Sequence, residues 1–177
     1  LSQTSRRVIF DIIIIDDGSV DDTSKILFAF QDEIKWFRIK KNKGLSSAIN
    51  LGIKKSKSKY IVRVDSDDYV NKDFLKVLYL FAENNPDKDA FACDYTVVSK
   101  NEKILKRENC LKKPIACGII FQKKQLKKIG FYNEKKFINE EKDLRARFLK
   151  EFKISRIALP LYRYIKHDNN LTGKNEN

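Results

Sequence analysis

Residues 11–19 read DIIIIDDGS, and this stretch decides the fold class. Four consecutive isoleucines form a β-branched apolar run, which Asp11 and Asp16 close at its two ends. A short continuous run of this kind is typical of a strand that is buried on both faces, as the strands of parallel sheets are. The polar turn from Asp16 to Ser19 then ends the strand at the edge where open α/β sheets bind their ligands.

Strand patterns and helix patterns alternate along the rest of the chain. Strands are predicted at 34–39, 60–64, 91–98, 117–121, 154–158 and 161–164, and helices at 22–31, 46–55, 72–84, 123–129 and 140–152. This alternation predicts an α/β fold with a Rossmann-like, mostly parallel sheet that is flanked by helices on both faces.

The length of 177 residues fits one domain, so we interpret residues 1–177 as a single unit. The 42% of hydrophobic residues are enough to build a core, and no run approaches the roughly 20 apolar residues of a membrane span. The three cysteines lack C-x-x-C spacing, which favours buried reduced thiols over a disulfide framework or a zinc site.

The net charge of +13 is unevenly distributed. Residues 1–100 carry 17 basic and 15 acidic groups, whereas residues 101–177 carry 20 and 9. A basic surface of this kind fits anionic lipid, an anionic polymer or a phosphorylated substrate, although a lysine-rich genome would produce it as well. Nucleic acid is disfavoured as a partner, because aromatic residues are not interleaved with the basic ones.

Two acidic clusters directly follow predicted strands, at Asp16-Asp17 and at residues 65–68, which read DSDD. Both are expected at one rim of the sheet, since ligands of open parallel sheets bind beyond the carboxyl ends of the strands. Three carboxylates within four residues repel one another unless a cation lies among them, and oxygen ligands select Mg²⁺ or Mn²⁺. The alternative is that residues 65–68 only form a turn that caps the next helix.

Seven sequence blocks occur in a fixed order along the chain. They are Ser2-Gln3-Thr4, DDGSVDDT at 16–23, NKG at 42–44 with AINLG at 48–52, YIVRVDSDD at 60–68, IGFYNE at 129–134, EEKDLRAR at 140–147 and PLYRYIKH at 160–167. Each block alone is common. Together they resemble the family 2 glycosyltransferases, which are nucleotide-sugar-dependent enzymes of the GT-A fold.

The resemblance implies a nucleotide pocket in the first half of the chain. Asp17 corresponds to the family's aspartate that accepts hydrogen bonds from the nucleotide base. The residues that would shape this pocket or pass over the nucleotide are Asp16, Gly18, Ser19, Asn42 and Gly44.

The resemblance also implies a metal site at a D-x-D motif formed by Asp65, Ser66 and Asp67. Asp65 would lie near the ribose, and Asp67 would hold the Mg²⁺ or Mn²⁺ that bridges the donor diphosphate. His167 corresponds to a position that reaches back to the metal or the diphosphate, although a lone histidine is equally expected at an ordinary surface position. Arg163 would add positive charge beside the leaving group, or would belong only to the solvated basic face.

A general base is implied at the start of the last helix. The family places there a Glu-Asp pair whose Asp takes the acceptor's proton, and this chain has Glu140-Glu141, so that Glu141 occupies the base position. A Glu carries the same carboxylate about one methylene further out and can serve the same role. The alternative is that these acidic residues only favour the positive end of a helix.

Family members have a strand and a helix before the block that stands here at residues 2–4. We therefore expect an N-terminally incomplete domain, short of a βα unit of about 30 residues. Within it, residues 1–100 would form the nucleotide-sugar-binding part and residues 101–177 the acceptor-side part.

The function that follows is that of an inverting glycosyltransferase, which moves a sugar from a nucleotide-diphosphate donor to a glycan or lipid-linked acceptor in cell-surface polysaccharide synthesis. A cytoplasmic location with peripheral contact at an anionic membrane is expected from the basic second half. Two alternatives stay open. One is a truncated, non-catalytic family member that binds membrane or anionic polymer, and the other is a sugar-phosphate nucleotidyltransferase of related architecture.

Overall fold

The computed structural model of the chain describes residues 8–136 and 138–166. The strands are β1 (Ile13–Asp16), β2 (Lys35–Arg38), β3 (Tyr60–Val62), β4 (Tyr69–Val70), β5 (Ala90–Val98), β6 (Ile104–Glu108), β7 (Ile119–Gln122) and β8 (Ile154–Ile165). The helices are α1 (Thr23–Ala29), α2 (Leu45–Lys55), α3 (Phe74–Asn84), α4 (Lys123–Lys128) and α5 (Glu140–Glu151). Within the described ranges, no helix combines the length and the apolar character that crossing a membrane requires.

Strands β1 and β2 form a small parallel sheet, in register from Ile13 opposite Lys35 to Asp16 opposite Arg38. Helix α2 packs on this sheet at Gly52, where an added Cβ would lie 3.5 Å from the Ile15 side chain. Because the two strands run in the same direction, the loops that follow them leave at the same edge.

The remaining strands of the described residues form a mixed sheet in the order β3-β7-β5-β8-β4, with β6 paired to β5. Its β5–β8 ladder is parallel, and its other four ladders are antiparallel. The α/β class is as predicted, but the strand directions in this sheet differ from the mostly parallel sheet expected. The physical reason is that a continuous apolar run reports burial on both faces and carries no information about the direction of its neighbours.

Helices cover both faces of the large sheet, as predicted. On one face, Phe74 and Leu78 of α3 are fully buried against a cluster that includes Phe91 of β5. On the other face, Leu144 and Phe148 of α5 pack with alanines of the same strand. The three cysteines are free thiols that lie buried in these two cores, as predicted.

Strand β8 unites the two short strands predicted on either side of Pro160. Pro160 stands at a register shift against β5, where its missing N–H interrupts no regular ladder. Beyond the shift, β8 pairs with β5 on one side and with the two-residue strand β4 on the other. This arrangement brings the end of β8 to the loop that joins β3 to β4, which contains residues 65–68.

Candidate active site

The loops that follow β1 and β2 are joined by the carboxylate of Asp17. Its Oδ1 accepts a hydrogen bond from the backbone N–H of Lys43 at 2.9 Å, and its Oδ2 accepts one from the N–H of Gly44 at 2.8 Å. Gly44 is the N-cap residue of α2 and has a φ of 88°. Its N–H also donates a hydrogen bond to Asn42 Oδ1 at 3.0 Å. The structure therefore brings Asp17, Asn42 and Gly44 together, and their role toward a nucleotide stays a prediction.

Gly18 provides the close contact between these two loops. Its φ is +85°, and an added Cβ would lie 2.9 Å from the backbone nitrogen of Asn42. Side chains are excluded at such a position both by the left-handed backbone and by the neighbouring main chain. The glycine is thus required for the shape of the loop pair.

Asp16 is buried beneath this loop pair. It accepts hydrogen bonds from the N–H of Ser19 at 2.8 Å and from the hydroxyl of Ser24 at 3.3 Å, and it lies 3.4 Å from Arg38. Burial disfavours its charge, but the hydrogen bonds from Ser19 and the charge of Arg38 outweigh that cost and lower the pKa of Asp16. Asp16 and Ser19 therefore shape the loop from below.

The acidic loop, residues 65–68, gathers three carboxylates. One oxygen each from Asp65, Asp67 and Asp68 lie within 4.8 Å of one another, and a turn closes the loop through the N–H of Asp68 and the carbonyl of Asp65 at 3.1 Å. Asp67 and Ser66 are exposed, whereas Asp65 and Asp68 are half-buried. An all-oxygen ligand set that opens to solvent is of the kind that Mg²⁺ or Mn²⁺ prefers, and the metal role of Asp65 and Asp67 stays a prediction.

Tyr162 of β8 holds the acidic loop from beneath. Its buried hydroxyl accepts the N–H of Asp65 at 3.2 Å and donates to Asp68 Oδ2 at 2.8 Å. The other oxygen of Asp68 accepts the N–H of Ile165 at 2.8 Å. Burial, with repulsion from Asp67 and Asp65, raises the pKa of Asp68 to about 6. Asp68 is therefore the tether between the acidic loop and β8, and Asp67 is its solvent-facing carboxylate.

Arg63 lies between the acidic loop and the start of α5. Its Nε and Nη2 donate to the two oxygens of Asp65 at 2.7 and 3.1 Å, and its Nη1 lies 3.7 Å from Glu140 Oε1. Glu140 is the first residue of α5 and is buried. Burial raises the pKa of Glu140, and the nearby charge of Arg63 opposes this shift.

Glu141 has different surroundings from Glu140. It is half-buried and lines a cavity of about 70 Å³, together with Tyr132, Arg145 and residues 114–116. The structure thus places the two predicted catalytic glutamates on different sides of the start of α5. Glu140 is the one that it links to Asp65.

Asn50 of α2 connects the first loop pair to the second half of the chain. Its side chain exchanges two hydrogen bonds of 2.9 Å with the backbone of Tyr132 and donates a third to Glu134 at 2.9 Å. Glu134 also accepts the hydroxyl of Ser47 at 3.0 Å. The side chain of Tyr132 is buried next to Arg63. Burial raises the pKa of Tyr132 to about 12, and the positive charge of Arg63 opposes this shift. A continuous set of contacts therefore joins the Asp17 loops to the acidic loop.

One predicted residue, Arg163, lies at the edge of this site. Arg163 is exposed on β8 and lies over the ring of Tyr69, opposite it in the β4–β8 ladder, 5.2 Å from the ring centroid. It therefore borders the acidic loop. His167, like residues 2–4, lies outside the described residues.

Sequence reasoning assigned no role to Arg63, Tyr162 or Glu134. All three stand inside the sequence blocks from which the family resemblance was drawn, at 60–68, 160–167 and 129–134. Their positions were therefore visible as parts of motifs. Their partners lie up to 97 residues away, which no local pattern encodes.

The fold and this site define a GT-A-type α/β protein with two loops that are joined at Asp17 and an acidic loop at Asp65–Asp68. Residues 2–148 match the family described as Glycosyl transferase family 2. The chain belongs to this family.

Solved structures and curated relatives agree with this assignment. The chain is similar to Staphylococcus aureus TarS 1–349 in complex with UDP, at 20% identity and a TM-score of 0.78, over 93% of this chain and 54% of that one. The complex of TarS with UDP-GlcNAc gives a TM-score of 0.79 over 98% of this chain. At this identity the likeness establishes the fold, and it confirms the predicted GT-A-like class.

Similar curated sequences carry glycosyltransferase names. An uncharacterized glycosyltransferase of Rickettsia conorii is 46% identical over 48% of this chain and 14% of its own length. The poly(ribitol-phosphate) beta-N-acetylglucosaminyltransferase TarP of S. aureus is 32% identical over 60% of this chain and 33% of its own length. The matched regions therefore span less than half of these curated relatives.

Proposed function

We propose that this chain is the catalytic part of an inverting glycosyltransferase of cell-surface polysaccharide synthesis. It would transfer a sugar from a nucleoside-diphosphate donor to a hydroxyl of a glycan or lipid-linked acceptor. The observation that carries the proposal is the acidic loop, whose three carboxylates converge beside the glutamate-bearing start of α5. Family membership and the UDP-GlcNAc complex of the similar TarS support it.

In this proposal, the donor nucleotide lies on the loop pair at Asp17. The two backbone N–H groups bound to Asp17 leave acceptor capacity on its carboxylate, because a carboxylate has about four lone-pair sites. The nucleobase of the donor can therefore donate a hydrogen bond to Asp17 without disrupting the loops. Asn42, Gly44 and Ser19 would border the nucleotide, while Asp16 and Gly18 maintain the shape of the pocket.

The donor diphosphate would lie at the acidic loop. Asp65 and Asp67 would hold a Mn²⁺ or Mg²⁺ ion, which when bound neutralises the charge of the departing diphosphate. Ser66 would contact the donor between them, and Asp68 keeps the loop in place through Tyr162. Arg163 would place a positive charge beside the diphosphate, and His167 is proposed there from the family resemblance alone.

The acceptor hydroxyl would be activated at the start of α5. Glu141 would accept its proton while the hydroxyl oxygen forms a bond to the anomeric carbon and the bond from that carbon to the diphosphate breaks. A single displacement of this kind inverts the configuration. Glu140 would support the site through its contact with Arg63. The donor therefore lies mainly on residues 1–100 and the acceptor on residues 101–177.

Turnover of UDP-GlcNAc with Mn²⁺ by the full gene product tests the proposal. Glu141→Gln should lower kcat by about 10²- to 10⁴-fold, the usual contribution of a general base. Asp67→Asn should lower turnover strongly even when Mn²⁺ is added, whereas the control Asp87→Asn removes an exposed carboxylate elsewhere and should change nothing. Full activity of Asp67→Asn would contradict the metal role, and full activity of Glu141→Gln would contradict the base.

A second candidate is a non-catalytic module that contacts an anionic membrane or polymer. A concave surface of about 300 Å³ is lined by Lys59, Lys123, Lys124 and Lys127. Lys59 precedes β3 and the acidic loop follows it, so this basic surface lies at the opposite end of that strand from the candidate active site. The same surface would serve an active enzyme as a peripheral membrane contact on the cytoplasmic side.

Two measurements separate these functions. A ligand that binds only the native state raises the thermal midpoint, so UDP with Mn²⁺ should stabilise an enzyme and not a pure membrane module. Cosedimentation with phosphatidylglycerol vesicles at low salt tests the membrane contact. A double change of Lys124 and Lys127 to Gln should weaken it, and unchanged cosedimentation of that variant would contradict the role of this surface.

A further inference from the structure

Arg63 is a largely buried cation between two carboxylates that belong to different parts of the candidate site. Its side chain is 14% exposed, and those of Asp65 and Glu140 are 32% and 11% exposed. Two of its nitrogens bind Asp65, and the third, Nη1, is buried without a hydrogen-bond partner at 3.7 Å from Glu140 Oε1. One side chain therefore spans from the acidic loop to α5.

The shape of the guanidinium makes this connection rigid. Its nitrogens form a planar fork that matches a carboxylate in a bidentate pair, which fixes the orientation of that carboxylate. With Nε and Nη2 bonded to Asp65, Nη1 is left 3.7 Å from Glu140, the first residue of α5, and the buried Tyr132 also lies next to the guanidinium. One side chain therefore links the orientation of the Asp65 carboxylate to the start of α5.

Net stabilisation of the fold does not account for this arrangement. A buried ion pair costs so much desolvation that apolar residues of similar volume often stabilise a protein as well or better. A buried Nη1 that makes no hydrogen bond adds to that cost. The arrangement has a clear benefit only if the position of Asp65 relative to α5 matters.

We infer that Arg63 is a positioning residue of the transfer reaction, which holds the Asp65 carboxylate and the base-bearing start of α5 at a fixed separation. This inference rests on the proposed function. Arg63 acts through Asp65 and Glu140 and does not contact the reacting atoms. It sets the distance between the donor diphosphate and the acceptor hydroxyl, on which the rate of a direct displacement depends steeply.

The test is Arg63→Lys in the full gene product, with the kinetics of UDP-sugar turnover in Mn²⁺. Lysine keeps the positive charge, but its single ammonium group cannot make the bidentate pair with Asp65 and also lie next to Glu140. We expect kcat to fall by about 10- to 100-fold, the effect of displacing reacting groups by about 1 Å, while the donor KM stays near its wild-type value. A purely structural role would change the thermal midpoint and leave kcat unchanged.

The matched control is Arg156→Lys. Arg156 makes a similar bidentate pair with Asp94 in the same sheet, at 2.9 and 2.5 Å, but has no second carboxylate within ion-pair distance among the described residues. This variant should lower the thermal midpoint without a loss of kcat. The coupling is measured by adding Glu140→Gln to Arg63→Lys, which should cost no further kcat if Arg63 acts through Glu140.

The outcomes distinguish this inference from the proposed function. An active wild type with an equally active Arg63→Lys variant overturns the inference alone, as does equal loss of kcat in Arg156→Lys. Absence of donor turnover by the wild type overturns the proposed function, and this inference with it. If Arg63→Lys does not fold, Arg63→Ala is assayed with added ethylguanidinium. Recovered turnover then supports the positioning role, and recovered thermal stability without turnover overturns it.

Discussion

Tyr162→Phe tests how the acidic loop is held. The change removes one hydroxyl and keeps the ring, which packs 6.1 Å from the ring of Phe74. It deletes the hydrogen bond to the Asp68 carboxylate and leaves the N–H of Asp65 without its acceptor. A hydrogen bond to a charged group contributes about 1.5 to 3 kcal/mol, and an orphaned N–H costs about 1 kcal/mol more. The free energy of unfolding should therefore fall by about 2 to 4 kcal/mol.

Tyr95→Phe is the matched control for this change. Tyr95 lies opposite Tyr162 in the β5–β8 ladder, is also buried, and donates to the carbonyl of Lys113 at 3.0 Å. This bond is between neutral groups, so its loss should cost about 1 kcal/mol. The difference between the two variants measures the charged partner, Asp68, together with the orphaned N–H of Asp65.

The assay is urea unfolding of both variants and the wild type in EDTA, followed by titration with Mn²⁺. Tyr162→Phe should lose about 1 to 3 kcal/mol more than Tyr95→Phe, and it should bind Mn²⁺ more weakly because Asp68 no longer secures the loop. The reasoning is refuted if the two variants are equally stable. It is also refuted if Tyr162→Phe binds Mn²⁺ as the wild type does.

Two further predictions concern the loop pair and the large sheet. Gly18→Ala should destabilise the chain by about 1 to 2 kcal/mol more than Gly130→Ala, because both glycines have a positive φ but only Gly18 would place a Cβ 2.9 Å from the Asn42 backbone nitrogen. Equal losses in thermal unfolding would contradict this. For Asp94, the hydrogen bond from Arg156 holds the pKa below its ordinary value, so the pair adds stability above about pH 4 that is lost as the pH falls through the folded pKa. The difference in unfolding free energy between wild type and Asp94→Asn should be constant at about pH 5 to 7 and shrink toward about pH 3, and a difference that grows on acidification would refute the pairing.

Local patterns predicted the elements near the first loop pair well. The apolar run at 12–15 became β1, and the helices expected at 46–55 and 72–84 became α2 and α3 within two residues at either end. In these segments one stretch of sequence determines both burial and conformation.

Strand pairing was harder to predict, because it depends on partners that are distant in sequence. Strands β4 and β6 were missed, since β4 has two residues and β6 is an exposed edge strand with little apolar pattern. Pro160 predicted a break, yet β8 continues past it at a register shift. The role of Arg63 was likewise invisible, because Glu140 lies 77 residues further along the chain.

The tether between Asp68 and Ile165 spans 97 residues of sequence, and this separation has a consequence for biosynthesis. At ribosomal rates of about 5 to 20 residues per second, Asp68 is made about 5 to 20 s before the strand that secures it. The Asp17 loops close with partners only 26 and 27 residues away, so they can form much earlier. A nascent chain would thus form the loop pair at Asp17 before the acidic loop is secured, so an unfinished chain that is released would carry the first feature without the second.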